Sequence, residues 1–141
     1  MITHSPRVET GLARTLLGKK RGENLISVVE LEGRKICHMG DIGHMLSDEQ
    51  FALIGDVDVL LIPVGGFYTV DAKTAKTLCE RINPKVIVPM HYRGESKGLQ
   101  NVAPVDDFLS LFPEEDVTFL GKTTVSVDEL LNCKIAVFPW P

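Results

Sequence analysis

The stretch Asp58-Val59-Leu60-Leu61-Ile62-Pro63-Val64-Gly65-Gly66 is a nearly unbroken apolar run closed by two glycines. A strand with one wet face alternates apolar and polar residues. A run that is apolar at almost every position fits a central strand covered on both faces, the usual state of a parallel sheet. Downstream, Ala72, Ala75, Leu78, Cys79 and Ile82 fall close to one face of a helix predicted over Asp71 to Arg81, which Pro84 breaks. Lys85-Val86-Ile87-Val88-Pro89 is then a second buried strand, running into Met90-His91-Tyr92. Upstream, Ser47 with Gln50 three residues later has the spacing of a capping box, and the helix Asp48 to Ile54 stops at Gly55. Asn24 to Leu31 and Arg34 to His38 form a predicted hairpin turning at Glu32-Gly33. Strands alternating with helices imply an α/β layered domain.

The flanks are less regular. Residues 1–23 carry Gly11, Gly18 and Gly22 and are expected to be mostly loop. Pro104 to Phe112 is a predicted short helix with Asp106 and Asp107 in its first turn, favourable to the helix dipole. Val117 to Leu120, Thr123 to Val127 and Lys134 to Phe138 are candidate edge strands, and the apolar tail from Leu130 to Trp140 is suited to closing the core or meeting a partner. The 141 residues are expected to form a single domain. Their 44% hydrophobic and 24% charged content is ordinary for a globular chain.

The net charge of −4 argues against nucleic acid as a partner, because phosphate-backbone binding needs clustered Lys and Arg. The one basic cluster, Lys19-Lys20-Arg21, reads as a solvated loop. Cys37, Cys79 and Cys133 are dispersed and form no C-x-x-C pair, which suits a reducing compartment. No apolar run is long enough to span a bilayer, and Thr3-His4-Ser5-Pro6 is polar and turn-like. The expectation is a cytoplasmic protein without membrane contact.

Asp41 follows one predicted strand and His91 another, and in layered α/β domains ligands gather beyond the carboxyl ends of the strands. A carboxylate and an imidazole are suitable ligands for zinc or iron, and a metal there could generate a nucleophile from water near neutral pH. From spacing alone, Asp41 between two glycines is equally a turn former, and a lone histidine after a strand, as His91 is, is more often structural.

His38-Met39-Gly40-Asp41-Ile42-Gly43-His44 resembles the H-x-G-D-x-G-H segment of metallo-β-lactamase-fold metal-dependent hydrolases. Ile54-Gly55-Asp56 leading into the central strand, Tyr68-Thr69-Val70-Asp71, and Pro84-Lys85 leading into His91-Tyr92 follow in the same order. Together with Arg21-Gly22-Glu23-Asn24 they are similar to the branch containing ascorbate-6-phosphate lactonase-like proteins. The resemblance implies half of an αββα sandwich, its C-terminal half: a mixed sheet with helices on one face. It implies metal ligation by Asp41 and His91, with Asp41, the residue that would bridge two metals, also counted as catalytic, and it places Gly65-Gly66 near the site. His38 and His44 are left as ligands, ligand-supporting groups or structural residues, and His4 stands where some members place a histidine near the active-site mouth. Tyr68 and Asp71 are most simply a loop aromatic and a helix N-cap.

The family's H-x-H-x-D-H signature, which supplies most of the ligands, is absent from this sequence. A catalytic zinc needs about three protein ligands, so zinc, manganese or iron is expected to bind weakly or not at all to the isolated chain. Half of a sandwich would also expose an apolar sheet face. The expected partners are therefore a second copy of the chain or a separate N-terminal half, with a small-molecule substrate. Two functions follow: part of a metal-dependent hydrolase, or a non-catalytic truncated domain acting as an assembly or interaction module. The Gly94 to Gly98 loop is expected to be a solvated turn.

Overall fold

The computed structural model describes residues 14–18, 24–67, 69–93 and 102–139. His4, Lys19-Lys20-Arg21, Tyr68, the Gly94 to Gly98 loop and Trp140 lie outside them.

The apolar run from Val59 forms strand β4 (Val59–Pro63), buried at every position. It lies at the centre of a seven-stranded sheet in which β1 (Arg14–Gly18), β2 (Asn24–Leu31) and β3 (Arg34–His38) stand on one side, and β5 (Val86–Met90), β7 (Ile135–Val137) and β6 (Val117–Phe119) on the other. The first three strands pair antiparallel, and every pairing from β3 to β6 is parallel. Parallel neighbours require crossover connections. Helices α1 (Asp48–Ile54) and α2 (Ala72–Ile82) provide two of them, followed by α3 (Val105–Leu109) and the single turn α4 (Val127–Leu130).

The ends of α1 and α2 follow their sequence signals. Ser47 and Gln50 make both halves of the capping box. Asp71 caps α2 by accepting from the Thr74 N–H at 2.9 Å, which holds its carboxyl below the usual range. At the amino ends of the parallel strands Asp58 is the tie: its carboxylate accepts from the Lys35 N–H at 2.8 Å and its carbonyl from the Val86 N–H at 2.9 Å.

One face of the sheet packs Cys37, Leu60, Ile62, Ile135 and Val137 against Ile54 of α1, Ala75, Leu78 and Cys79 of α2, and Phe108 of α3. The opposite face was expected to be bare. It is not, because Val59, Leu61, Val86, Val88 and Ala136 are buried there beside Leu120, Leu130, Leu131, Cys133 and Phe138. The apolar tail thus closes the core, and α4 lies on the face that α1, α2 and α3 leave open.

Three further differences have local causes. The stretch expected to be mostly loop contains β1, which pairs with β2. Thr123 to Val127 forms no strand: Ser126 instead accepts from the Glu129 N–H at 3.1 Å and caps α4. The strand foreseen over Lys134 to Phe138 is interior, as β7, and β6 takes the edge. Among the described residues no helix is long and apolar enough to cross a membrane.

Candidate metal centre

The parallel strands β3, β4 and β5 end side by side, with His38 beside Leu61, and Pro63 beside Met90. Beyond β3 the ladder continues for one residue, through the Met39 N–H to the Leu61 carbonyl. Gly40 then takes a left-handed φ of 62°, a conformation that costs glycine little. Met39 and Ile42 are both buried, so the turn between them projects Asp41 outward at the strand tips. The loop is held from below by the Val70 N–H, which donates to the Ile42 carbonyl at 2.9 Å.

His91 reaches the same place from β5. Its φ of 57° is left-handed, a region that non-glycine residues enter uncommonly and histidine more readily than most. Gly65 makes room for it: a Cβ there would overlap the His91 carbonyl oxygen and lie 3.1 Å from the Val102 Cβ. The neighbouring Val64 N–H donates to the Met90 carbonyl at 3.0 Å, and the Gly65 carbonyl accepts from the Ala103 N–H at 2.8 Å. Of the glycine pair foreseen near the site, Gly65 is therefore the one that lies against His91.

The two residues singled out as ligands do meet. His91 Nδ1 lies 3.2 Å from Asp41 Oδ1, with side-chain exposures of 37% and 65%. Two ligands of one tetrahedral zinc, at bond lengths of about 2.0–2.1 Å, stand roughly 3.3 Å apart, so this pair fits two positions of a metal site. It does not complete one. Among the described residues no group of three or more His, Cys, Asp or Glu could hold a metal ion.

The histidines flanking Asp41 differ from each other. His38 Nδ1 accepts from the Gly40 N–H at 3.1 Å. Burial lowers the His38 pKa below the usual histidine value, the His91 charge lowers it further, and the Asp41 charge opposes both. His44 has the reverse polarity. Its Nδ1 lies 2.8 Å from the Met45 carbonyl, which can only accept, so Nδ1 carries the hydrogen. Its Nε2 is buried and has no hydrogen-bond partner among the described residues. Gly40 as a turn residue beside Asp41 and Gly65 near the site were both foreseen in the sequence; the contact of Gly65 with His91 was not. The H-x-G spacing was a usable signal for Gly40, whereas the approach of Gly65 to His91 is a contact between strand ends that spacing does not show.

The β-lactamase superfamily domain family matches residues 7–91 of the chain. A UPF0173 metal-dependent hydrolase of Pyrococcus abyssi is 41% identical over 66 residues, which are 46% of this chain and 29% of that protein. One of Thermoplasma acidophilum is 36% identical over 75 residues, 53% of this chain and 33% of its own length. The chain thus spans about a third of the curated relatives it matches. Among solved structures, a Thermotoga maritima protein whose name places it with Zn-dependent hydrolases of the metallo-β-lactamase superfamily superposes with a TM-score of 0.72 at 38% identity, over 89% of this chain and 63% of that one. A metallo hydrolase of Ignicoccus hospitalis shares the fold, with a TM-score of 0.56 at 22% identity, over 87% of this chain and 46% of the other. The family match over residues 7–91 takes in more than half of the 141 residues, and the chain belongs to the β-lactamase superfamily domain family.

Proposed function

We propose that the chain is the C-terminal part of a metal-dependent hydrolase, contributing Asp41 and His91 to a centre whose other ligands come from an H-x-H-x-D-H segment outside this sequence. The observation that carries the reading is the 3.2 Å meeting of Asp41 Oδ1 and His91 Nδ1 at the carboxyl ends of adjacent strands. A metal bound there supplies Lewis acidity and activates water. The chain's own residues hold the geometry: Gly40 turns Asp41 over the strand tips, and Gly65 with the Ala103 hydrogen bond fixes the backbone at His91. Lactones, esters and phosphoesters are the substrate classes this chemistry serves, and the ascorbate-6-phosphate lactonase-like branch is part of the same proposal. A cytoplasmic location and zinc, manganese or iron as the metal accompany it.

The partner follows from the ligand count and no longer from a bare sheet face. A second copy would repeat the same two ligands, which favours a separate N-terminal half. The test is metal content by mass spectrometry of the chain alone and of the chain co-expressed with an H-x-H-x-D-H-bearing half. Sub-stoichiometric metal alone and full occupancy together, abolished by Asp41→Ala or His91→Ala, is the expected result. Background metal in both preparations would end the reading.

The second reading is a non-catalytic assembly or interaction module. It draws on the covered second face, which lets the chain stand without a partner sheet, and on the short ligand count. Under it Asp41→Ala leaves metal content unchanged.

A further inference from the structure

His38 ends β3, and its ring sits close enough to Asp41 and His91 for both charges to act on it. Its hydrogen bonding limits what it can do. The Gly40 N–H points at Nδ1, so Nδ1 presents a lone pair, and in the neutral ring the hydrogen resides on Nε2. Ligation through Nε2 would move that hydrogen to Nδ1, where it would face the Gly40 N–H donor to donor. Ligation through Nδ1 would need the lone pair that Gly40 already occupies. Either route sacrifices a hydrogen bond anchored in the left-handed turn that also delivers Asp41.

We propose that His38 serves this centre as a neutral hydrogen-bond donor, its Nε2–H binding an acceptor oxygen of the substrate's carbonyl or phosphoryl group, and not as a metal ligand. The assignment rests on the hydrolase reading for the identity of the acceptor, but the tautomer of His38 is testable without it. His44, with its hydrogen on Nδ1, makes an internal contrast in the same spectrum.

The experiment is long-range proton–nitrogen NMR on the 15N-labelled 141-residue chain. Without metal, His38 is expected to show a protonated Nε2 and an acceptor Nδ1, and His44 the reverse. With the labelled chain assembled with an H-x-H-x-D-H-bearing half, zinc should shift the His91 nitrogens while His38 retains its Nε2 hydrogen. Methylphosphonate, a tetrahedral oxyanion, should then shift the His38 Nε2–H. Its binding should weaken about tenfold in His38→Leu and stay within about twofold in His38→Gln, whose terminal amide N–H stands near the same point. A metal-bound Nε2 at His38, a hydrogen on its Nδ1, no response to methylphosphonate, or equal affinities across the three proteins would each overturn the proposal. If zinc leaves His91 unmoved even in the assembled pair, the hydrolase reading fails, and the metal-free tautomer still decides whether His38 is a donor.

Discussion

The two faces of the sheet are built from different side chains. On the face shared with α1, α2 and α3, the fully buried residues include Phe108, Ile26, Met39, Ile54, Leu60, Ile62 and Leu78. The buried sheet residues of the other face are three valines, one alanine and one leucine, under a cover from Leu120, Leu130, Leu131, Cys133 and Phe138. Long side chains fill the depth between a sheet and a helical layer, and short β-branched ones suit a thin cover lying directly on the strands. The difference teaches that burial is divided unevenly between the two layers. The helical face carries most of the burial, while Ile36, Met90 and the tail share the thinner layer.

Strand β4 offers the most direct way to break this comparison, because Leu60 and Leu61 are the same residue on opposite faces, 0% and 5% exposed. Leu60→Ala should cost about 4 kcal/mol, since the helices around it cannot collapse into the space, and Leu61→Ala about 2–3 kcal/mol. Urea unfolding with an unchanged slope would measure both. Equal losses would mean that the thin cover is packed as tightly as the helical layer.

The comparison sharpens where the faces meet, at the strand tips. Gly65→Ala must displace either β4 or the His91 carbonyl, costing about 2–3 kcal/mol. Zinc retention should fall further than that loss explains, because His91 moves away from Asp41. Gly121→Ala is the control: nothing lies within 4 Å of the added Cβ, so a change within about 0.5 kcal/mol is expected. Undiminished zinc binding in Gly65→Ala, measured beside the unaltered chain with each co-expressed with the H-x-H-x-D-H-bearing half, would detach the glycine from the site.

What was legible in the sequence divides along the same line. The unbroken run from Val59 announced a strand covered on both faces, and Ser47, Gln50, Asp71 and Pro84 announced helix ends, because periodicity and capping are local properties. Asp41 and His91 were also legible, being strand-tip residues in a recognisable motif order. Strand β1 escaped notice because its stability comes from pairing with β2. Ser126 could have been seen as an N-cap, with Glu129 three residues on, but the β-branched run from Thr123 to Val127 outweighed it. The cover on the second face was hidden for a different reason. Leu130, Leu131 and Cys133 reach Val59 and Val86 from far along the chain, and no local pattern encodes that distance.

The smallest effect separates the faces by reactivity. Cys37 and Cys79 lie in the helical-face core, and burial pushes both thiols up to about 12. Near neutral pH almost none of either is thiolate, the form that attacks a disulfide reagent. Cys133 is partly exposed on the thinner face, its Sγ 3.8 Å from the Glu129 carbonyl. A colourimetric disulfide reagent should therefore titrate one thiol of the three in the native chain and all three after denaturation. Because the buried pair can react only through opening of the helical face, their slow labelling should accelerate in Leu60→Ala while the rate at Cys133 holds. Acceleration at Cys133 as well would mean that the two faces open together, and that the sheet does not insulate one layer from the other.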